Sequence, residues 1–283
     1  MSIQIEKQDG AMLPFKLIGF AGGERHVQLQ DLSPLKSRYL TIRAKVTSTD
    51  GLMDLLLIEN ALRNAFGEAV KINLELPYLP YSRQDRVTSP GQAFSLKVMA
   101  NLLKIMTLNQ LVTWDCHSQT GTVLTQAYNV KPASIIQSDP ALSNLLSDSK
   151  SVLVCPDKGA VDRCRVIQET LKLSEIVYCE KQRDPATGKI SQTKVLSDDL
   201  SGRCAVITDD ICDGGYTFIK IAEQLQAKNV ERIVLFVTHG IFSKGLDVFD
   251  GLIDEVITTN SLPQQPHSKL SVINFNHTFG EPS

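Results

Sequence analysis

No two of the six cysteines (Cys116, Cys155, Cys164, Cys179, Cys204, Cys212) form a CxxC pair, which argues against a zinc ribbon or a thioredoxin-like redox motif. Several of them stand inside apolar runs and read as buried free thiols in a reducing compartment. No uninterrupted apolar run is long enough to span a bilayer. The first residues, Met1-Ser2-Ile3-Gln4-Ile5-Glu6, lack the apolar core of a signal peptide, so a cytoplasmic protein is expected. Charge of one sign is also missing: the formal net charge is -2 over 283 residues. That gives no general field for a nucleic acid or a membrane surface, and any polyanion site has to be built locally. What remains is ordinary globular composition, 42% hydrophobic and 21% charged, in a chain long enough for one large or two ordinary domains.

Residues 203–217 organise the rest. Ala205-Val206-Ile207 reads as a buried strand that runs into Asp209-Asp210, turns through Gly214-Gly215 and enters a helical pattern carried by Ile219, Ile221, Ala222 and Leu225. In an open parallel sheet, ligands bind outside the carboxyl ends of the strands, where a helix amino terminus offers free N–H groups to a phosphate. Carboxylates ahead of such a loop suit sugar hydroxyls or a hydrated Mg²⁺. Three aspartates within five residues (Asp209, Asp210, Asp213) therefore read as part of a ribose-phosphate site, with Gly214, Gly215, Tyr216 and Thr217 completing it.

Elsewhere, strands and helices alternate. Residues 16–20 and 27–29 read as a hairpin, 39–46 as a strand, and a helix capped by Asp50 carries Leu52, Leu55, Leu56, Leu62 and Phe66 to Gly67. Strands are expected at 70–76, 110–114, 151–155, 176–179, 232–237, 253–258 and 270–275, with helices near 94–106 and up to Leu171. This alternation predicts an α/β protein with largely parallel sheets flanked by helices. The pattern restarts near 130–139, giving two domains at 1–134 and 135–283, with the last segment returning to pack on the first. Polar clusters follow strand ends at Arg83-Gln84-Asp85-Arg86, at Asp115-Cys116-His117-Ser118 and at Pro156-Asp157-Lys158-Gly159-Ala160. The charged, turn-rich stretch 180–189 reads as a mobile flap.

The segment 203–217 resembles the binding loop of the phosphoribosyltransferase superfamily. Other motifs narrow the likeness. Arg83-Gln84-Asp85 alone reads as a surface ion pair, but Leu76-Pro77-Tyr78-Leu79-Pro80-Tyr81-Ser82-Arg83-Gln84-Asp85-Arg86 resembles the ATP-binding signature of ribose-phosphate pyrophosphokinases. Phe20 and Glu24, followed by His26-Val27, resemble that family's adenine-contacting hairpin, and residues 238–243 resemble its strand-end turn. The resemblance covers about residues 19–243 and implies two phosphoribosyltransferase-like domains. It implies ATP contacts at Phe20, Glu24, Arg83, Gln84 and Asp85, and a Mg²⁺ cofactor beside His117 and Asp157. It further implies transition-state stabilisation by Lys181 and Arg183, with His117 also at the ATP phosphates. The implied reaction is attack by the anomeric hydroxyl of a ribose phosphate on the β-phosphorus of Mg·ATP, releasing AMP. Asp209 and Asp210 would then hold ribose hydroxyls, and residues 213–217 the 5-phosphate. A homodimer or homohexamer is implied as well.

Departures bear on the acceptor. The family loop commonly reads Asp-Thr-x-Gly-Thr, whereas this chain has Asp213-Gly214-Gly215-Tyr216-Thr217. Gly22 replaces a polar residue, and the strand and helix that usually precede the hairpin are expected to be largely absent. Gly214 for room and Tyr216 for stacking suit a ribose 5-phosphate that is part of a larger molecule. ADP-ribose is the natural candidate, and the chain is compatible with a phage-encoded subset of the family assigned to NAD⁺ salvage through ADP-ribose pyrophosphate. Ribose 5-phosphate stays open as the alternative acceptor, as do a phosphoribosyltransferase and a non-catalytic regulatory homologue.

Overall fold

The computed structural model describes residues 2–183 and 190–279, with the side chains of 181–183 and 190–193 left outside that description. The chain divides into two compact units, Met1–Val130 with Asn276–Ser283, and Lys131–Phe275.

The first unit contains β1 (Ser2–Lys7), β2 (Phe15–Gly19), β3 (Arg25–Leu29), β4 (Tyr39–Lys45), α1 (Thr49–Phe66), β5 (Lys71–Glu75), α2 (Ser95–Leu103), β6 (Leu108–Trp114), α3 (Gln119–Thr125) and β7 (Tyr128–Val130). Its sheet runs β1-β4-β5-β6-β7, parallel from β4 onward, and β2 and β3 form a separate antiparallel hairpin. Ile3 and Ile5 alternate with Gln4 and Glu6, the period-two signal of a strand, and β1 pairs antiparallel with β4 through Ile5↔Ile42. An amino-terminal strand is therefore present, a correction to the expectation that it is largely absent. The α1 cap also differs. Ser48 in extended conformation accepts from Gly51 N at 3.2 Å, and Asp50 lies inside the first turn. The hydroxyl takes the cap because it sits one residue before the helix, where it can reach an orphan N–H. Gly67, at φ 83°, ends the helix with its N–H bonded to the Arg63 carbonyl.

The second unit contains α4 (Pro132–Ser138), α5 (Pro140–Ser147), β8 (Ser151–Cys155), α6 (Val161–Leu171), β9 (Ile176–Arg183), β10 (Ile190–Val195), β11 (Cys204–Cys212), α7 (Tyr216–Gln226), β12 (Arg232–Gly240), β13 (Glu255–Thr259) and β14 (Leu270–Ile273). The seven-stranded sheet runs β10-β9-β8-β11-β12-β13-β14, parallel throughout except for the β9–β10 pair. Strand order reverses between β8 and β11, which in open α/β sheets is where ligands bind. The stretch read as a loop after Cys179 is strand as far as Arg183 and pairs antiparallel with β10.

Each unit has its own core. Ile42, Leu55, Ile58, Leu62, Ile72 and Leu74 are fully buried in the first, and Val154, Ala205, Ile207, Ile221, Leu225 and Phe249 in the second. The last residue of β5 in the first unit carries a buried carboxylate. Glu75 accepts from Trp114 Nε1 at 3.0 Å and from the His277 backbone N–H at 2.8 Å, and pairs with Arg43. Arg43 also donates to Glu6 at 2.9 Å and to the His277 carbonyl at 3.1 Å. The ring of His277 lies 5.5 Å from Tyr128 and 5.1 Å from Phe279.

Truncating Glu75 to alanine would leave a half-buried guanidinium and two donors without their acceptor. Removing one partner of a buried ion pair costs about 3–5 kcal/mol. Chemical denaturation of Glu75→Ala is expected to show a loss of that size, and Glu75→Gln, which keeps an acceptor oxygen, a smaller one.

Candidate functional site

The site in the second unit is built where β11 outruns its neighbour. β11 pairs with β8 only from Cys204↔Ser151 to Ile207↔Val154, whereas its pairing with β12 continues to Cys212↔Gly240. Thr208 to Cys212 therefore border an opening on the β8 side. Asp209 and Asp210 stand there with Asp210 4% exposed, so the second aspartate is strand, not loop. Burial pushes the Asp209 carboxyl well above the usual carboxylate range, with the charge of Asp210 adding to the rise and Arg163 opposing it. Arg163, on α6, places NH1 3.1 Å from Asp209 Oδ1 and NH2 3.7 Å from Asp210 Oδ1. Cys212, buried beneath Asp209 and Asp213, has its thiol pushed up to about 12 and stays protonated.

After Cys212 the chain makes the turn that leads into α7. The turn is pinned from residues 240–243: Ile241 and Phe242 donate to the Cys212 carbonyl at 2.8 and 3.1 Å, Ser243 N to the Asp213 carbonyl at 3.1 Å, and Ser243 Oγ to Asp213 Oδ1 at 2.6 Å. His239 is a buried structural histidine, its Nδ1 2.9 Å from Ser261 Oγ. The two glycines of the turn differ. Gly215 caps α7 at φ 79°, and a Cβ there would stand 2.7 Å from the Phe249 ring. Gly214 carries no such demand, since a Cβ would make ordinary contacts at 3.6 Å with Lys244 Cγ and 3.9 Å with Ser243 Oγ. No side chain caps α7, so its first-turn N–H groups face the turn. Tyr216 is 64% exposed, with Lys220 Nζ 5.9 Å from its ring centroid; Thr217 is half-buried.

Asp157 follows β8, on the other side of the strand reversal, as the cap of the next turn. Its Oδ1 accepts from Gly159 N at 2.9 Å and Ala160 N at 3.3 Å, which fixes the short 3₁₀ turn before α6. Lys181 and Arg183 stand on β9, and their side chains lie outside the described residues, as does 184–189.

In the first unit, the residues after β5 fold into successive tight turns: Ser82 N donates to Leu79 O at 3.2 Å and Gln84 N to Tyr81 O at 3.0 Å. Tyr81 adopts φ 63°, a left-handed conformation that costs a bulky residue about 1–2 kcal/mol. Strain of this kind gathers at functional sites. The turns leave Arg83 and Gln84 exposed and Asp85 half-buried, its carboxylate 3.9 Å from Arg86. The β2–β3 hairpin tip carries Phe20, 55% exposed, and Glu24. Gly22 leaves the space that the Glu24 carboxylate fills. Arg25 anchors this tip, donating to both oxygens of fully buried Asp54 at 2.8 and 2.6 Å. His117 follows β6 on an exposed turn that starts at Asp115, φ 38°.

Among the described residues no three His, Cys, Asp or Glu side chains cluster as a metal cage. Mg²⁺ keeps several waters and is commonly held by one or two protein groups together with substrate phosphates. Asp157 in the second unit is one carboxylate of that kind, and His117 in the first is an exposed imidazole.

Two family descriptions match the chain: the N-terminal domain of ribose phosphate pyrophosphokinase over residues 5–106, and the phosphoribosyl synthetase-associated domain over residues 185–274. Ribose-phosphate pyrophosphokinase of Mycoplasmopsis pulmonis is 30% identical over 262 residues, covering 90% of this chain and 79% of that protein. Its namesake from Pyrococcus furiosus is 30% identical over 261 residues, 90% of this chain and 88% of the relative. The crystal structure of phosphoribosylpyrophosphate synthetase from Mycobacterium smegmatis superposes with a TM-score of 0.77 at 22% identity, over 93% of this chain and 87% of that one, a likeness of fold.

The unequal glycines yield a test. Gly215→Ala combines left-handed strain of about 1–2 kcal/mol with overpacking of about 1–3 kcal/mol against Phe249. Thermal unfolding is expected to drop by several degrees for Gly215→Ala and by little for Gly214→Ala.

Proposed function

This chain belongs to the ribose-phosphate pyrophosphokinase family and is a diphosphotransferase, and from that premise we propose that it transfers the β,γ-diphosphate of ATP to the anomeric hydroxyl of ADP-ribose. The hydroxyl oxygen bonds to the β-phosphorus, the bond from that phosphorus to the α,β-bridging oxygen breaks, AMP leaves, and the hydroxyl proton passes to solvent. Bound Mg²⁺ neutralises phosphate charge. Phe20, Glu24, Arg83, Gln84 and Asp85 bind the nucleotide, with the aromatic ring available to the base and the guanidinium to phosphate oxygens. Lys181 and Arg183 neutralise charge that develops during transfer, the main protein contribution in phosphoryl chemistry. Asp209 and Asp210 accept from ribose hydroxyls. The turn from Asp213 to Thr217 cradles the 5-phosphate on the α7 first-turn N–H groups.

One observation carries the choice of acceptor. The turn leaves Gly214 without a side chain that its backbone would accept, and beside it presents Tyr216, 64% exposed, with Lys220 near its ring. A bare 5-phosphate uses neither feature. An acceptor continuing beyond that phosphate to a second phosphate and a base uses both, the base stacking on the phenol ring. Ribose 5-phosphate is the second reading, favoured by the names of the relatives, none of which mentions a larger acceptor.

The test is AMP release from Mg·ATP, comparing the two acceptors with purified protein. A kcat/KM at least tenfold higher with ADP-ribose is expected, and Gly214→Thr with Tyr216→Gly is expected to reverse the order. Equal or better turnover of ribose 5-phosphate by the unmodified protein would defeat the ADP-ribose reading. Absence of AMP with either acceptor, together with base-dependent pyrophosphate release, would indicate a phosphoribosyltransferase instead. Lys181→Ala is expected to lower kcat about 10²-fold or more, the scale of losing one transition-state donor, with KM for ATP little changed.

A further inference from the structure

Arg163 has no part in the site as read from sequence, yet its guanidinium reaches both strand aspartates. It is the third residue of α6, immediately after the 3₁₀ turn fixed by Asp157, and its side chain is only 11% exposed. Neighbouring residues on an extended strand point to opposite faces, so consecutive aspartates do not ordinarily act as one unit. Here a single guanidinium reaches both, at 3.1 Å to Asp209 and 3.7 Å to Asp210. Asp209 Oδ1 takes a second hydrogen bond, from the Asp210 backbone N–H at 2.9 Å, so two donors set the orientation of that carboxylate.

The helix bearing Arg163 is held in register with the strand. The next residue on α6, Cys164, has its thiol 3.4 Å from the hydroxyl of Thr208, the residue before Asp209. Both are fully buried, so the reach of the guanidinium is set by packing rather than by a mobile side chain. Two carboxylates in a site of low exposure repel, and the guanidinium of Arg163 opposes that repulsion at Asp209.

We propose that Arg163 is a positioning residue for acceptor recognition, fixing the side chains of Asp209 and Asp210 relative to each other so that both meet the vicinal hydroxyls of the ribose. This rests on the diphosphotransfer reading above. The planar fork matters as well as the charge, because a lysine ammonium is a point donor that cannot serve two carboxylates in the same way.

The experiment uses the full chain, ATP, and whichever of ribose 5-phosphate and ADP-ribose the unmodified protein turns over, beside the analogue lacking the 2-hydroxyl of the reacting ribose. A site built to bind that hydroxyl discriminates against its absence. In Arg163→Met the acceptor KM is expected to rise at least tenfold with the ATP KM within twofold. The preference for the hydroxylated acceptor over its deoxy analogue is expected to collapse by at least tenfold. Arg163→Lys is expected to recover part of both, and it carries the test should the methionine variant not fold. A variant that loses rate equally on both acceptors, keeping the unmodified discrimination ratio, overturns the proposal. If the unmodified protein turns over neither acceptor, the failure lies with the diphosphotransfer reading, and Arg163 loses its assigned role with it.

Discussion

A central strand of a parallel sheet is paired on both edges and covered on both faces, so it admits polar side chains only where its pairing lapses. In this protein that lapse is local. β11 loses its β8 partner after Ile207 and keeps its β12 partner to Cys212. The one-sided ladder holds the backbone straight while opening a border on which carboxylates can stand. The α7 turn, the Ser243 anchor on Asp213 and the α6 guanidinium are all arranged around those five residues. The order of strands supplies the same place by a separate route, because the connections leave the β8–β11 junction in opposite directions.

The two halves of the chemistry are supported differently. In the second unit, polar groups are positioned by buried elements: a strand, the start of a helix and a pinned turn. In the first, the residues proposed to bind the nucleotide lie on turns and a hairpin tip, with strain at Tyr81 and an anchoring ion pair from Arg25 to Asp54. A nucleotide is recognised through a flat base and a flexible phosphate chain, and exposed aromatic and guanidinium groups suit both. A sugar diol needs fixed acceptors, and fixed acceptors need a rigid support.

Much of the architecture was legible because its signals are local. Alternation of apolar strands with amphipathic stripes identified the α/β class, and Asp209-Asp210 followed by Gly214-Gly215 marked the turn, since few other functions place acidic residues and glycines directly after a buried strand. The misses have physical reasons. Ser48 outranked Asp50 as a cap because position, not acidity, decides which oxygen reaches an orphan N–H. β1 was discounted on resemblance although Ile3 and Ile5 carried the period-two signal. Short α4 and α5 are stabilised by packing rather than by long periodic runs, so they left little trace. Arg163 could not be read at all: its partners lie 46 and 47 positions away, and only the fold brings the start of α6 beside residues 208–210.

The first unit is interrupted by the second, since the chain leaves it at Val130 and rejoins it at Asn276. Glu75, made early, receives the N–H of His277, made after the second unit. During synthesis the buried carboxylate therefore waits without that donor while the whole second unit emerges from the ribosome. The order of translation lets the inserted unit reach its fold before the unit that encloses it in sequence is complete, reversing the usual rule that the amino-terminal domain finishes first.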